Sequence, residues 1–167
     1  MTTRPVSDRE VQAFKRFVTL LPREKDPVLL VLKGHLLVEE QLRLLIDERV
    51  VKPQAVAAAQ LECFHVICLA EAFCANEAPE YLWDVLRKLN KLRNDIAHKI
   101  ELPGLQDRIE NITSLVERNS VFAEGGIGTI ESDPMQKFDL ALWVLFCTVS
   151  GLVERPSAAV LELLPNG

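Results

Sequence analysis

Between Leu82 and His98, the residues Leu82, Leu86, Leu89, Ile96 and Ala97 recur at three-, four- or seven-residue steps. That spacing lays them along one face of an α-helix and does not suit a strand, whose side chains alternate every second residue. The same period returns along the rest of the chain, punctuated by start and stop signals. Ser7 with Glu10 forms a capping box ahead of Val11, Phe14, Phe17, Val18 and Leu21, and Pro22 closes that helix. Asp26 followed by Pro27 opens a second, longest helix from Val28 to about Val51. Pro53 opens a third, rich in alanine, running through Phe73; Asn76 to Pro79 precedes a fourth, from about Glu80 to Lys99. Leu105, Ile109, Ile112, Leu115 and Val116 make a fifth after Pro103 and Gly104, and Asp133–Pro134 starts a sixth, strongly apolar, ending near Gly151. No alternating pattern or internal repeat stands out, so the sequence predicts an all-α antiparallel bundle of about six helices, one domain over residues 1–167.

A chain of 167 residues can close a core without metal or disulfide staples, and 49% apolar with 26% charged residues suits a globular protein rather than a disordered one. The net charge of −5 argues against a broadly basic nucleic-acid surface, because phosphate contacts need clustered Lys and Arg; a small basic cleft is compatible with it. The start lacks the apolar stretch of a secretory signal, and no uninterrupted apolar run reaches the roughly 18 residues of a membrane span. The expectation is therefore a cytoplasmic protein without a membrane partner. Cys63, Cys68, Cys74 and Cys147 lie in apolar helical runs and read as buried, reduced thiols.

Two charges sit where aliphatic residues are expected. Arg93 lies four residues after Leu89 and four before Ala97, and an unpaired guanidinium there is costly to dehydrate. Glu39 is surrounded at helical spacing by Leu32, Leu36, Leu42 and Ile46, so the opposite signs suggest one buried pair. Beside the apolar stripe, Asn90, Asn94 and His98 follow at i, i+4 and i+8 and form a polar ridge ending in an imidazole. Arg93 and His98, five residues apart, are about 140° apart around one helix, so two facing copies of the chain are expected to combine them better than one.

The string RNDIAH, Arg93 to His98, resembles the R-x(4–6)-H motif of the HEPN superfamily, with Asn94 directly after the arginine as that family favours. The resemblance implies a compact helical bundle acting as a homodimer, and a metal-independent endoribonuclease of toxin or defence type. In that chemistry the RNA 2′-hydroxyl attacks the adjacent phosphate. His98 would serve as acid or base, Arg93 as a fork of donors to phosphate oxygens, and Asn94 as an orienting group. The resemblance equally permits a non-catalytic dimerising, regulatory or nucleotide-binding module. The segment GHLLVEEQL, Gly34 to Leu42, with the later RNxxAH helix, also looks like helical proteins related to mannitol-operon repressors, which implies protein interaction or transcriptional control. Partners implied by these readings are a second copy, RNA, and an antitoxin or regulatory protein.

Against catalysis stands a purely structural alternative: Glu39 pairs with Arg93 as an ion pair or support for the site, and His98 bonds a backbone carbonyl. Cys63, His65 and Cys68 make a CxHxxC string, but on one helix Cys63 turns partly away from the other two and no second ligand pair follows, so no metal or other cofactor is expected. His35, beside Val31, Val38 and Leu42, reads as a satisfied core or interface histidine. The GGIG run within Ser120 to Ser132 lacks the Lys-Ser/Thr of a phosphate-binding loop and reads as a connector, and the tail Pro156 to Gly167 as a short turn of helix. There is no nucleophile elbow, dinucleotide fingerprint or HExxH motif.

Overall fold

The computed structural model of the protein describes residues 7–22, 26–74, 76–119 and 133–155; the GGIG connector and the leucine-rich tail lie outside them. Seven helices form, with no strand among the described residues: α1 (Asp8–Leu20), α2 (Pro27–Arg49), α3 (Pro53–Ala58), α4 (Cys63–Cys74), α5 (Glu80–His98), α6 (Leu105–Asn119) and α7 (Pro134–Val153). Local chemistry sets the first two starts. The Ser7 hydroxyl accepts from the Glu10 backbone while the Glu10 carboxylate accepts from Ser7 N–H, completing the capping box. Asp26 accepts from the N–H groups of Val28 and Leu29, with Pro27 needing no acceptor.

The third expected helix is two helices. The Ala-rich stretch after Pro53 has high intrinsic helicity, but α3 buries none of its residues, and an amphipathic face held by neighbours is what usually sustains a helix in a protein. The chain leaves it at Ala59, and Gln60 takes a left-handed φ of 48°. From there α4 starts afresh and turns Val66, Ile67, Ala70 and Cys74 into the core.

α2, α5, α6 and α7 form a closed cycle, each packed on the next; α4 lies across α2 and α5, α1 lies on α7, and α3 lies on α2. The centre is filled by Leu42, Leu45 and Ile46 of α2, Leu82, Leu89 and Leu92 of α5, Ile109 and Ile112 of α6, and Phe138, Leu142 and Leu145 of α7. α2 and α7 approach closely at Gly34, where a Cβ would stand 2.5 and 2.9 Å from the two methyls of Leu142. By length and composition α7 could also cross a membrane, a property the sequence reading missed by looking only for an uninterrupted apolar run. In this fold its apolar surface faces α1, α2 and α6.

The lower ends of α2 and α7 are tied by Arg49. Its guanidinium donates to both oxygens of Glu77, at 2.7 and 2.8 Å, and to the backbone carbonyls of Leu152 and Arg155. The Arg49 side chain is 3% exposed and that of Glu77 20%, so this ion pair is part-buried, at the edge of the core.

Candidate functional site

The apolar seam of α5 runs through Leu82, Val85, Leu86, Leu89 and Leu92 and stops there; Ile96 is half-buried and Ala97 exposed. The last turns of the helix have therefore left the core. Arg93 is half-buried, and it shares with Asn90, Asn94 and His98 one wall of a cleft of about 400 Å³. The opposite walls are His35, Glu39 and Arg43 of α2, and Glu62, Cys63 and Phe64 at the start of α4. The break after α3 is what builds this arrangement. It brings the N-terminus of α4 over α2, and the Leu61 carbonyl of the connection accepts a hydrogen bond from Arg43 at 2.9 Å.

Glu39 does not pair with Arg93. Its Oε1 accepts from Arg43 Nη2 at 2.6 Å and Nε at 3.1 Å, and its Oε2 stands 3.7 Å from His35 Nδ1. The carboxylate takes the cation one helical turn along its own helix, an i,i+4 partner already in register, in place of the one on α5. Arg93 is left with the side-chain oxygen of Asn94, which accepts from Nη1 at 3.1 Å; its buried Nε–H has no acceptor. Among the described residues no carboxylate forms an ion pair with Arg93. An unmade hydrogen bond from a buried guanidinium costs of order 1–3 kcal/mol. The cleft thus holds a donor that a ligand with an anionic oxygen would satisfy.

His35 is 4% exposed and only half satisfied. Nε2 lies 3.1 Å from Asn90 Oδ1 and 3.4 Å from Cys63 Sγ, while Nδ1 is buried without a hydrogen-bond partner. Burial pushes the imidazole toward its neutral form, outweighing the pull of Glu39 and Asn90 in the other direction. Burial likewise pushes the Cys63 thiol up to about 12, with the nearby Glu39 carboxylate adding to the effect. A neutral thiol, a neutral imidazole and the Glu39–Arg43 ion pair therefore share one end of the cleft at neutral pH.

Of the residues singled out in the sequence, Arg93, Asn94 and His98 lie together, and Glu39 lies in the same cleft bonded elsewhere. The angular separation of Arg93 and His98 does not divide them, because both reach the cleft within one chain. His98 is exposed at the very end of α5, and the next N–H, that of Lys99, caps the Asp95 carbonyl at 3.0 Å. His65, the middle of the CxHxxC string, is exposed and sits edge-on to Phe64 without itself lining the cleft. His35, Asn90 and Cys63 were not joined in the sequence reading. His35 and Cys63 are 28 residues apart and meet only through the turn at Gln60, a juxtaposition with no local signal. Compared with protein-family models, curated proteins and solved structures, the chain finds no match.

Proposed function

We propose that the chain is a HEPN-like domain that engages RNA through the cleft at the end of α5 and cleaves it without a metal ion, as a homodimer of toxin or defence type. The observation that carries this reading is Arg93: a guanidinium with no carboxylate partner among the described residues and with a buried Nε–H awaiting an acceptor, beside Asn94 and His98. The RNA 2′-hydroxyl would attack the adjacent phosphorus, losing its proton to an imidazole, while the 5′-oxygen departs and gains a proton. Arg93 would hold the crowded, negatively charged phosphorane by its forked donors. Two His98 side chains across a twofold axis would divide the two proton transfers.

Glu39 and Glu62 line the same cleft and repel phosphate, although Arg43 offsets the first. They favour a second reading, a non-catalytic regulatory module that takes a protein partner. The experiment incubates the purified chain with structured RNA in EDTA, beside Arg93→Ala and His98→Ala. Expected are products ending in 2′,3′-cyclic phosphate, with cleavage falling about 10²–10³-fold on loss of Arg93 and about 10²–10⁴-fold on loss of His98. No cleavage by the wild-type chain, or equal cleavage by the variants, would overturn the nuclease reading.

A further inference from the structure

Three donor groups meet at the inner end of the cleft in a way that neither the bundle nor the proposed RNA chemistry requires. One donor atom from each of His35, Glu39 and Cys63 lies within 4.8 Å of the others. The hydrogen bonds around them fix what each can offer. With Asn90 Oδ1 accepting from His35 Nε2–H at 3.1 Å, the proton is on Nε2 and the lone pair on Nδ1. That lone pair is buried, has no hydrogen-bond donor, and faces Glu39 Oε2, itself an acceptor, at 3.7 Å. Two acceptors facing each other in the interior leave a gap suited to a cation.

The contact is too long for the base-orienting hydrogen bond of a nucleophilic Cys–His–Glu triad, which needs about 2.7–3.2 Å. It is a few tenths of an ångström longer than the separation of a nitrogen and an oxygen ligand on one tetrahedral zinc, about 3.3–3.5 Å for bonds of about 2.0–2.2 Å, a distance that the two side chains close on binding the ion.

We infer that His35 Nδ1, Glu39 Oε2 and Cys63 Sγ form a binding site for a zinc-class divalent transition metal, with the fourth coordination position open to the cleft beside Arg93; the thiol stands 3.4 Å from Nε2, so a turn of the Cys63 side chain brings Sγ to the ion on the Nδ1 side. A thiolate with an imidazole selects this class over magnesium or calcium. The outer partners are in place: Asn90 holds the far nitrogen of the imidazole, and Arg43 holds Oε1 of Glu39, leaving Oε2 for the ion. Binding forms a metal–sulfur bond and releases the thiol proton to solvent, so thiolate and carboxylate together neutralise the dication despite the two nearby arginines. The three ligands come from α2 and α4, so the ion would also pin the start of α4 to α2.

The site does not depend on the nuclease reading, whose assay runs in EDTA, and it is tested without RNA. The metal-free, full-length chain is titrated with Co²⁺ and followed by absorption. Expected are uptake of one equivalent, the visible bands of tetrahedral cobalt, and a thiolate-to-cobalt charge-transfer band that Zn²⁺ abolishes by displacement. Cys63→Ser should remove the charge-transfer band and Glu39→Gln should weaken uptake at least about tenfold, while Cys68→Ser and Cys147→Ser leave the spectrum unchanged. Zn²⁺ should raise the melting temperature of the wild type and not that of Cys63→Ser. Absence of a stoichiometric band in the wild type, or its persistence in Cys63→Ser, would overturn the site. Should Cys63→Ser lose its native circular dichroism, Glu39→Gln decides by whether its affinity equals that of the wild type.

Discussion

Replacing Glu77 by glutamine isolates the charge of the part-buried Arg49–Glu77 ion pair while keeping the side chain's shape. Arg49 is 3% exposed and Glu77 20% exposed, and the two are joined by parallel hydrogen bonds of 2.7 and 2.8 Å. Arg49 Nε has no partner, so once the carboxylate is gone the guanidinium keeps only the two carbonyls it reaches at 3.3 Å. Removing one member of a buried pair costs about 3–5 kcal/mol. Here the carbonyls of Leu152 and Arg155 remain, and the carboxylate side is reached by some water, which puts the expected loss at the lower end, about 3 kcal/mol. For a chain of this size that corresponds to a melting temperature lower by about 6–12 °C, read by circular dichroism at pH 7.

The pH dependence supplies a second check. The hydrogen bonds from Arg49, aided by its charge and that of Arg155, hold the Glu77 carboxyl below the ordinary carboxylate range. A folded value below the unfolded one contributes stability that is complete above about pH 4.3 and is lost as pH falls through the folded value. The gap between wild type and Glu77→Gln should therefore be constant from pH 7 to about 5.5 and narrow steadily in more acid solution. A melting temperature within 2 °C of the wild type at pH 7, on the order of the smallest shift a 1 kcal/mol change gives, would refute the claim that this pair holds the helix ends together. So would a gap that stays the same size in acid.

Gly34→Ala should destabilise the fold by about 1 kcal/mol, since overpacking against the fully buried Leu142 costs about 1–3 kcal/mol and the gain in helix propensity returns about 1; chemical denaturation of Gly34→Ala, Leu142→Ala and the double variant should show the two changes offsetting one another. Asp95, held down to about 2 first by Arg108 and then by Lys99, should titrate higher in Arg108→Ala yet stay below the ordinary carboxylate range, because Lys99 remains 3.0 Å away; carboxyl carbon NMR reads both. Arg16→Ala, which removes an exposed bidentate pair with Glu40, should change stability by less than about 1 kcal/mol. The nuclease and metal-binding tests complete the set.

What could be read from the sequence was what neighbours in the chain decide. Ser7 with Glu10 and Asp26 with Pro27 mark helix starts through bonds spanning two or three residues, and both form as expected. The α3–α4 break escaped because the Ala-rich stretch has every local reason to continue as helix; α3 rests on α2 with none of its residues fully buried, so little packing carries the helix further, a property of the fold. Arg49 resembles any basic residue in the last turn of a helix, and nothing nearby says that it is interior.

The pairing of Glu39 with Arg93 was a sound inference from two charges on buried faces, and it failed because Arg43 is an equally strong and closer partner. The spacing of Glu39 and Arg43 was visible in the sequence and would have supported the right pair. Periodicity put Asn94 and His98 on one ridge and turned Arg93 about 140° from His98, whereas the side chains of all three line one cleft within a single chain. His35 and Cys63 were not, because their meeting depends on a backbone reversal that no residue between them announces.

That reversal at Gln60 separates two duties within the molecule. One side of the cleft is anchored in the central helices, whereas Glu62 and Cys63 follow directly on a short turn whose preceding helix buries none of its residues fully. Lengthening or shortening the turn would widen or narrow the mouth while leaving the leucine interior untouched. Related chains could therefore alter what the cleft admits by insertions at this point, without re-solving the packing problem of the bundle.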